Sequence, residues 1–185
     1  MDGRGASTTT VAPYAPLSFR VRLAASAASG LLAAATLARY GLGPRGLIDA
    51  VFIGVLPQLA AVDFEQRIIP NRIVLPTLAL VLVAQLAFFS SHALEWIAAS
   101  LAAGAFLYLP GLFYKGAVGM GDVKLAALLG AALGTDVVTA FVVASFAVLP
   151  VALVILVRKG REARGVGIPF GPFLALGGAV VVLFG

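Results

Sequence analysis

Seven apolar stretches follow one another along 185 residues and leave little chain for anything else. They cover residues 21–37, 46–62, 73–89, 93–114, 123–133, 137–157 and 168–184. A helix needs about 20 mostly apolar residues to cross a bilayer. Six stretches approach that length. The fifth is short, and either extends through Asp122 or crosses a thinned, protein-lined region. The chain is 61% hydrophobic and 11% charged, with a mean hydropathy of +1.06. A soluble fold of this size leaves much of its surface in contact with water, so the solvent for these residues has to be lipid. The expected fold is all-α: a polytopic integral membrane protein with about seven transmembrane helices. Residues 1–16, with Ser7, Thr8, Thr9, Thr10, Pro13 and Pro16, read as a flexible tail. Residues 17–185 read as a single helical membrane domain. Arg20 and Arg22 precede an apolar run, as in a signal peptide. That run ends in Leu37, Ala38, Arg39 and Tyr40 rather than at small residues, so cleavage is not expected.

Lysine and arginine give the expected orientation. With seven spans, one side of the membrane receives eleven of the thirteen basic residues, and the other receives Arg39 and Arg45. The positive-inside rule places the richer side, and with it the N-terminus, in the cytoplasm. The same asymmetry accounts for the net charge of +5 without nucleic acid as a partner. The localisation expected is the inner, cytoplasmic membrane. The absence of cysteine excludes disulfides, thiolate metal sites and cysteine nucleophiles. A single histidine, His92, argues against a histidine-rich metal site or a Ser-His-Asp triad. No metal or cofactor is expected.

Eight acidic residues remain to carry chemistry. Asp2 lies in the tail and Glu162 in the basic loop 157–165, which sets topology and meets anionic lipid. Asp49, Glu95 and Asp136 fall on the non-cytoplasmic side. Asp63 closes the second span and Asp122 opens the fifth, so both sit at the inner membrane boundary although 59 positions separate them. Glu65 beside them is expected to face water. Two carboxylates at one depth share a single proton if they meet, because like charges disfavour double ionisation. One then activates water while the other protonates or polarises a carbonyl, which is aspartic-protease chemistry. The helix dipole favours the anion at Asp122, near an N-terminal end, over Asp63, near a C-terminal end. Gly119 and Gly121 ahead of Asp122 leave bare backbone for an extended substrate. Read alone, the same segment is a glycine-rich loop with Asp122 as helix N-cap. Lys124 tunes the site or anchors the interface. His92 and Trp96 read as interfacial anchors, "GAALG" (130–134) as a close helix contact, and Pro169 and Pro172 as first-turn residues of the last helix. The alternative function is a small proton-coupled transporter or channel with the two aspartates as relay. Such acids usually lie nearer the midplane, often in repeated halves, and no repeat is visible here.

Three segments carry a resemblance. "GMGDVKL" (119–125) resembles the GxGD signature of the prepilin peptidase family, the membrane aspartic proteases that process type IV pilin-like precursors. Asp63 followed by "IPN" (Ile69, Pro70, Asn71) resembles the family's first aspartate region, and "GIPFGPFLALG" (167–177) its C-terminal helix opening. The resemblance implies Asp63 and Asp122 as catalytic residues. It implies Gly119, Gly121, Lys124, Pro70, Asn71, Pro169 and Gly171 as residues that bind substrate or shape the site. It also implies precursors with a short basic leader before a hydrophobic helix as partners, cut just after a glycine at that junction. Larger family members add a cytoplasmic domain with paired cysteines and methylate the new N-terminus with S-adenosylmethionine. This chain lacks cysteine, so it is similar to the compact members, and methyltransferase activity and zinc are not expected.

Overall fold

The computed structural model describes residues 17–113, 119–160 and 168–185. The tail 1–16, Lys115 and most of the basic loop 157–165 lie outside the described residues. Among the described residues the structure is helical throughout, with seven α-helices and two short 3-10 turns. The helices are α1 (Phe19–Tyr40), α2 (Pro44–Gln66), α3 (Asn71–Phe88), α4 (Ala93–Phe113), α5 (Met120–Leu133), α6 (Val137–Lys159) and α7 (Gly171–Phe184). Short links make neighbours antiparallel. The α1–α2 link ends at Pro44, whose fixed φ suits the first turn of a helix. The α3–α4 and α5–α6 links are the 3-10 turns Ser90–His92 and Gly134–Asp136.

By length and composition, five helical stretches can cross a membrane: Phe19–Tyr40, Pro44–Gln66, Asn71–Phe88, Ser90–Phe113 and Met120–Lys159. The last stretch joins α5 and α6. Helix α7 is shorter, and α5 and α7 each have 14 residues, a length of about 21 Å. The seven expected spans are therefore seven helices of unequal reach. The fifth extends through Asp122, since it starts at Met120, and much of it is buried against other helices.

Helix α5 is the hub. It packs against α4 and α3, and also meets α7, α6 and α2. Its residues Leu125, Ala126 and Leu128 to Leu133 are all buried, the pattern of a helix apolar all round. A helix walled by protein has no need to match the lipid thickness. Gly130 lets the backbones touch, since a Cβ there would run into Ala99 O and lie 2.7 Å from Ser100 Cα on α4. Two interhelical hydrogen bonds add to this contact. Ser100 Oγ donates to Ala127 O at 2.9 Å, and Gln85 Nε2 of α3 donates to Ala132 O at 3.3 Å. Around the hub, α1 packs on α2, α2 on α7, and α7 on α6. Outward-facing Leu31, Phe106, Phe146 and Leu153 are exposed, as befits side chains that meet acyl chains.

Two sequence expectations are corrected. Pro169 precedes α7 and lies outside it, whereas Pro172 does occupy the first turn. Trp96 is not an interfacial anchor. It is 8% exposed, its ring lies under the Arg45 guanidinium at 5.6 Å, and it packs where a Gly134 side chain would be. Arg45 also pairs with the buried Asp49 at 2.8 Å, so the basic residue satisfies an acid and an aromatic face together. Glu65 is exposed, as expected, and accepts hydrogen bonds from Ser18 N at 3.2 Å and Ser18 Oγ at 2.8 Å, which ties the start of α1 to the end of α2.

Candidate active site

The end of α2 is set by its own geometry. Arg67 N donates to Asp63 O at 2.8 Å. Arg67 then adopts φ 54°, and is the sole non-glycine with positive φ among the described residues. That left-handed residue stops the helix and turns the chain into Ile69 and Pro70, both buried. The Pro70 carbonyl accepts from Ile73 N at 3.0 Å and Val74 N at 3.2 Å, which starts α3 at Asn71. The "IPN" segment is thus a tight corner whose isoleucine points into the bundle.

Helix α5 starts against the same corner. Gly119 is its N-cap, so Asp122 stands in the third helical position and is not the cap. Gly121 faces Ile69: a Cβ there would lie 2.8 Å from Ile69 Cβ and 3.3 Å from Ile69 N. At Gly171, the first residue of α7, a Cβ would lie 2.6 Å from Asp63 Oδ2 and 3.2 Å from Ile69 Cδ1. Ile69 is therefore the spacer on which the glycines of both other motifs close. By contrast, a Cβ on Gly119 would meet Asp122 Oδ2 at 3.4 Å, an ordinary contact.

These contacts border a cavity of about 310 Å³ lined by Asp63, Asp122, Asn71, Lys124, Gly119 and Gly121, together with Arg67, Ile68, Ile69 and Met120. Asp63 is 5% exposed, and its Oδ2 is buried without a hydrogen-bond partner. Asp122 is half-buried. Lys124 Nζ donates to Asn71 Oδ1 at 2.7 Å, linking α5 to the start of α3 across the cavity. Both acids occupy the helix ends expected of them, Asp63 in the last turn of α2 and Asp122 in the first turn of α5. Among the described residues, no group of three or more His, Asp or Glu side chains is placed to hold a metal ion.

Most of the site residues expected from sequence come together here. Pro70 stands behind Ile69 rather than on the cavity wall. Pro169 lines a neighbouring cavity instead. Two contributors carried weaker signals. Arg67 is one helical turn beyond Asp63, and Ile69 is the first letter of the "IPN" segment. Two other cavities, between α2 and α3 and between α4 and α6, are lined without any ionisable side chain.

The sequence matches known proteins. The type IV leader peptidase family matches residues 50–156, a region that holds both carboxylates. A prepilin leader peptidase/N-methyltransferase of Burkholderia pseudomallei is 36% identical over 166 residues, covering 85% of this chain and 53% of that protein. Proteins of the same name from Bacillus subtilis and Pseudomonas putida are each 32% identical. They cover 88% and 80% of this chain, and 65% and 53% of their own lengths. The chain thus spans between about half and two thirds of the length of these relatives. No solved structure matches it significantly. A family pattern that spans more than half of the chain, and includes both acids that face one cavity, shows that this protein belongs to the type IV leader peptidase family.

Proposed function

We propose that this protein is a membrane-embedded aspartic endopeptidase that removes the short basic leader from type IV pilin-like precursors. Asp63 and Asp122 are its catalytic pair. The observation that carries the reading is the convergence of these two carboxylates, from α2 and α5, on one cavity of about 310 Å³. Held together, the pair carries one proton between its members. The ionised carboxylate takes a proton from water as the water oxygen attacks the scissile carbonyl. The protonated one gives its proton to the carbonyl oxygen. Collapse of the tetrahedral intermediate breaks the C–N bond: the leaving amine takes up the proton held by the first carboxylate, and a hydroxyl of the gem-diol returns a proton to the second, which restores the singly protonated pair. The products are a leader with a new carboxyl terminus and a helix with a new amino terminus.

The cavity's position fits such a substrate. In the orientation with the N-terminus in the cytoplasm, which places eleven of thirteen basic residues on that side, the cavity opens at the cytoplasmic membrane boundary. A basic leader then stays in water, an apolar helix stays in lipid, and the bond between them lies at the carboxylates. Lys124, held by Asn71, and the backbone at Gly119 and Gly121 position the extended chain.

The test is cleavage in detergent of a precursor with a basic leader, a Gly–hydrophobic junction and an apolar helix. Asp63→Asn and Asp122→Asn are each expected to lower cleavage by about 10³-fold or more, with membrane insertion retained. Activity kept by either variant removes that aspartate from the mechanism. The relatives' name also carries N-methyltransferase activity. We assign hydrolysis alone to these 185 residues. A methyl-sized mass gain on the new N-terminus, after incubation with S-adenosylmethionine, overturns that restriction.

A further inference from the structure

Helix α6 is packed along only part of its length. Its buried residues Val137, Ala140 and Ala144 are spaced by three and four, the stripe of a helix laid on a neighbour. That neighbour is α7, where a Gly177 side chain would run into Ala140 O. The same spacing continues through Val151 and Ile155, yet no residue of α6 beyond Ala144 is buried, and Val151 is 41% exposed. Pro150 lies within this unburied part of the helix. Past it, Val151 and Ile155 face Phe64, Ile168, Pro172 and Phe173 across a cavity of about 400 Å³. An interface that is closed in one half has a gap in the other.

The gap adjoins the aspartates. Arg67 lines both cavities. Gly171 lies against the Asp63 carboxylate and is followed directly by Pro172 in the gap's wall. Apart from Arg67, every residue lining the gap is apolar, whereas the aspartate cavity mixes acids, an amide and an amine with Ile68, Ile69 and Met120.

We propose that this gap is the subsite for the first apolar side chains after the cleaved bond, so that it reads the start of the precursor's helix. The proposal rests on the peptidase reading above. An extended chain advances about 3.3 Å per residue, so one or two residues carry it from the carboxylates past Gly171 into the gap. There the precursor completes the α6 stripe that the described residues leave unfilled. A lipid chain could fill the same space, but it would impose no preference on the substrate.

The test uses precursors that differ only in the residue after the scissile glycine: Phe, Leu or Ala. Val151→Trp and Ile155→Trp fill the gap, and Leu153→Trp, on an exposed face, is the control. The filled variants are expected to lose about tenfold or more in kcat/KM for the Phe precursor, while the Ala precursor stays within about threefold of wild type. The control is expected to change neither. Equal losses across the series, or none, overturn the subsite. A photo-crosslinker at the same precursor position, bound to Asp122→Asn, is expected to label Val151, Ile155 or Phe173, and labelling elsewhere overturns the proposal. Label in the gap without cleavage by wild type keeps the subsite and refutes the peptidase. Cleavage with label elsewhere does the reverse.

Discussion

Single atoms decide how the carboxylates meet. A methyl group on Gly171 would sit 2.6 Å from Asp63 Oδ2, so Gly171→Ala has to push the carboxylate, and misplacement of a reacting group by about 1 Å costs about 10²-fold. A loss of that order in kcat, with insertion intact, is expected from the detergent assay. Gly121→Ala pushes Ile69 instead and is expected to lower activity by spreading α5 from the α2–α3 corner. Gly119→Ala meets only an ordinary contact at φ −72° and is expected to stay within about threefold of wild type. If Gly119→Ala proves as damaging as Gly171→Ala, the close-approach account fails. From sequence, Gly119 and Gly121 read alike, as bare backbone beside an acid, and Gly171 stood out only through the resemblance of its segment. What separates them is which neighbour each one faces, and for Gly171 that neighbour is 108 positions away.

At the level of elements, α5 shows how local pattern and packing divide the explanation. Its shortness as a span was plain from residue count, which left an extension through Asp122 or a protein-lined crossing. Why a short helix is tolerated became clear only from α3, α4 and α7 around it. The α4–α5 contact is the most sensitive part of that wall. Gly130→Ala forces a methyl into the α4 backbone at Ala99 and Ser100 and is expected to cost about 1–3 kcal/mol, read as a lower unfolding midpoint in detergent. Gly30→Ala, in mid-α1 with open space around it, is expected to stabilise by about 0.5–1 kcal/mol through helix propensity. Equal midpoints for the two variants would contradict close α4–α5 packing. Trp96 makes the complementary point. An aromatic residue near a span's end reads as an anchor, but the turn at Gly134 and the approach of Arg45 bury it.

For the whole molecule, orientation is the property to test. The chain has no cysteine, so single introduced cysteines report sidedness without background. Arg72→Cys at the start of α3 is expected to react with an impermeant reagent only from the cytoplasmic side, and Ser91→Cys, between α3 and α4, only from the opposite side. The reverse pattern overturns both the orientation and a cytoplasmic leader. The apolar runs determined by themselves that this chain lives in lipid as a helical bundle. The scarcity of acids, with Asp63 and Asp122 at the ends of their runs, determined which carboxylates share a depth. Both are properties of composition and spacing, which act on each helix separately through its contact with lipid and water. Only the tertiary structure decided that the two acids face one cavity, that Ile69 is the spacer, and that Pro169 and the end of α6 border a second cavity. Those outcomes depend on the shapes of surfaces distant in sequence, and a close contact between two backbones has no period along either chain from which it can be read.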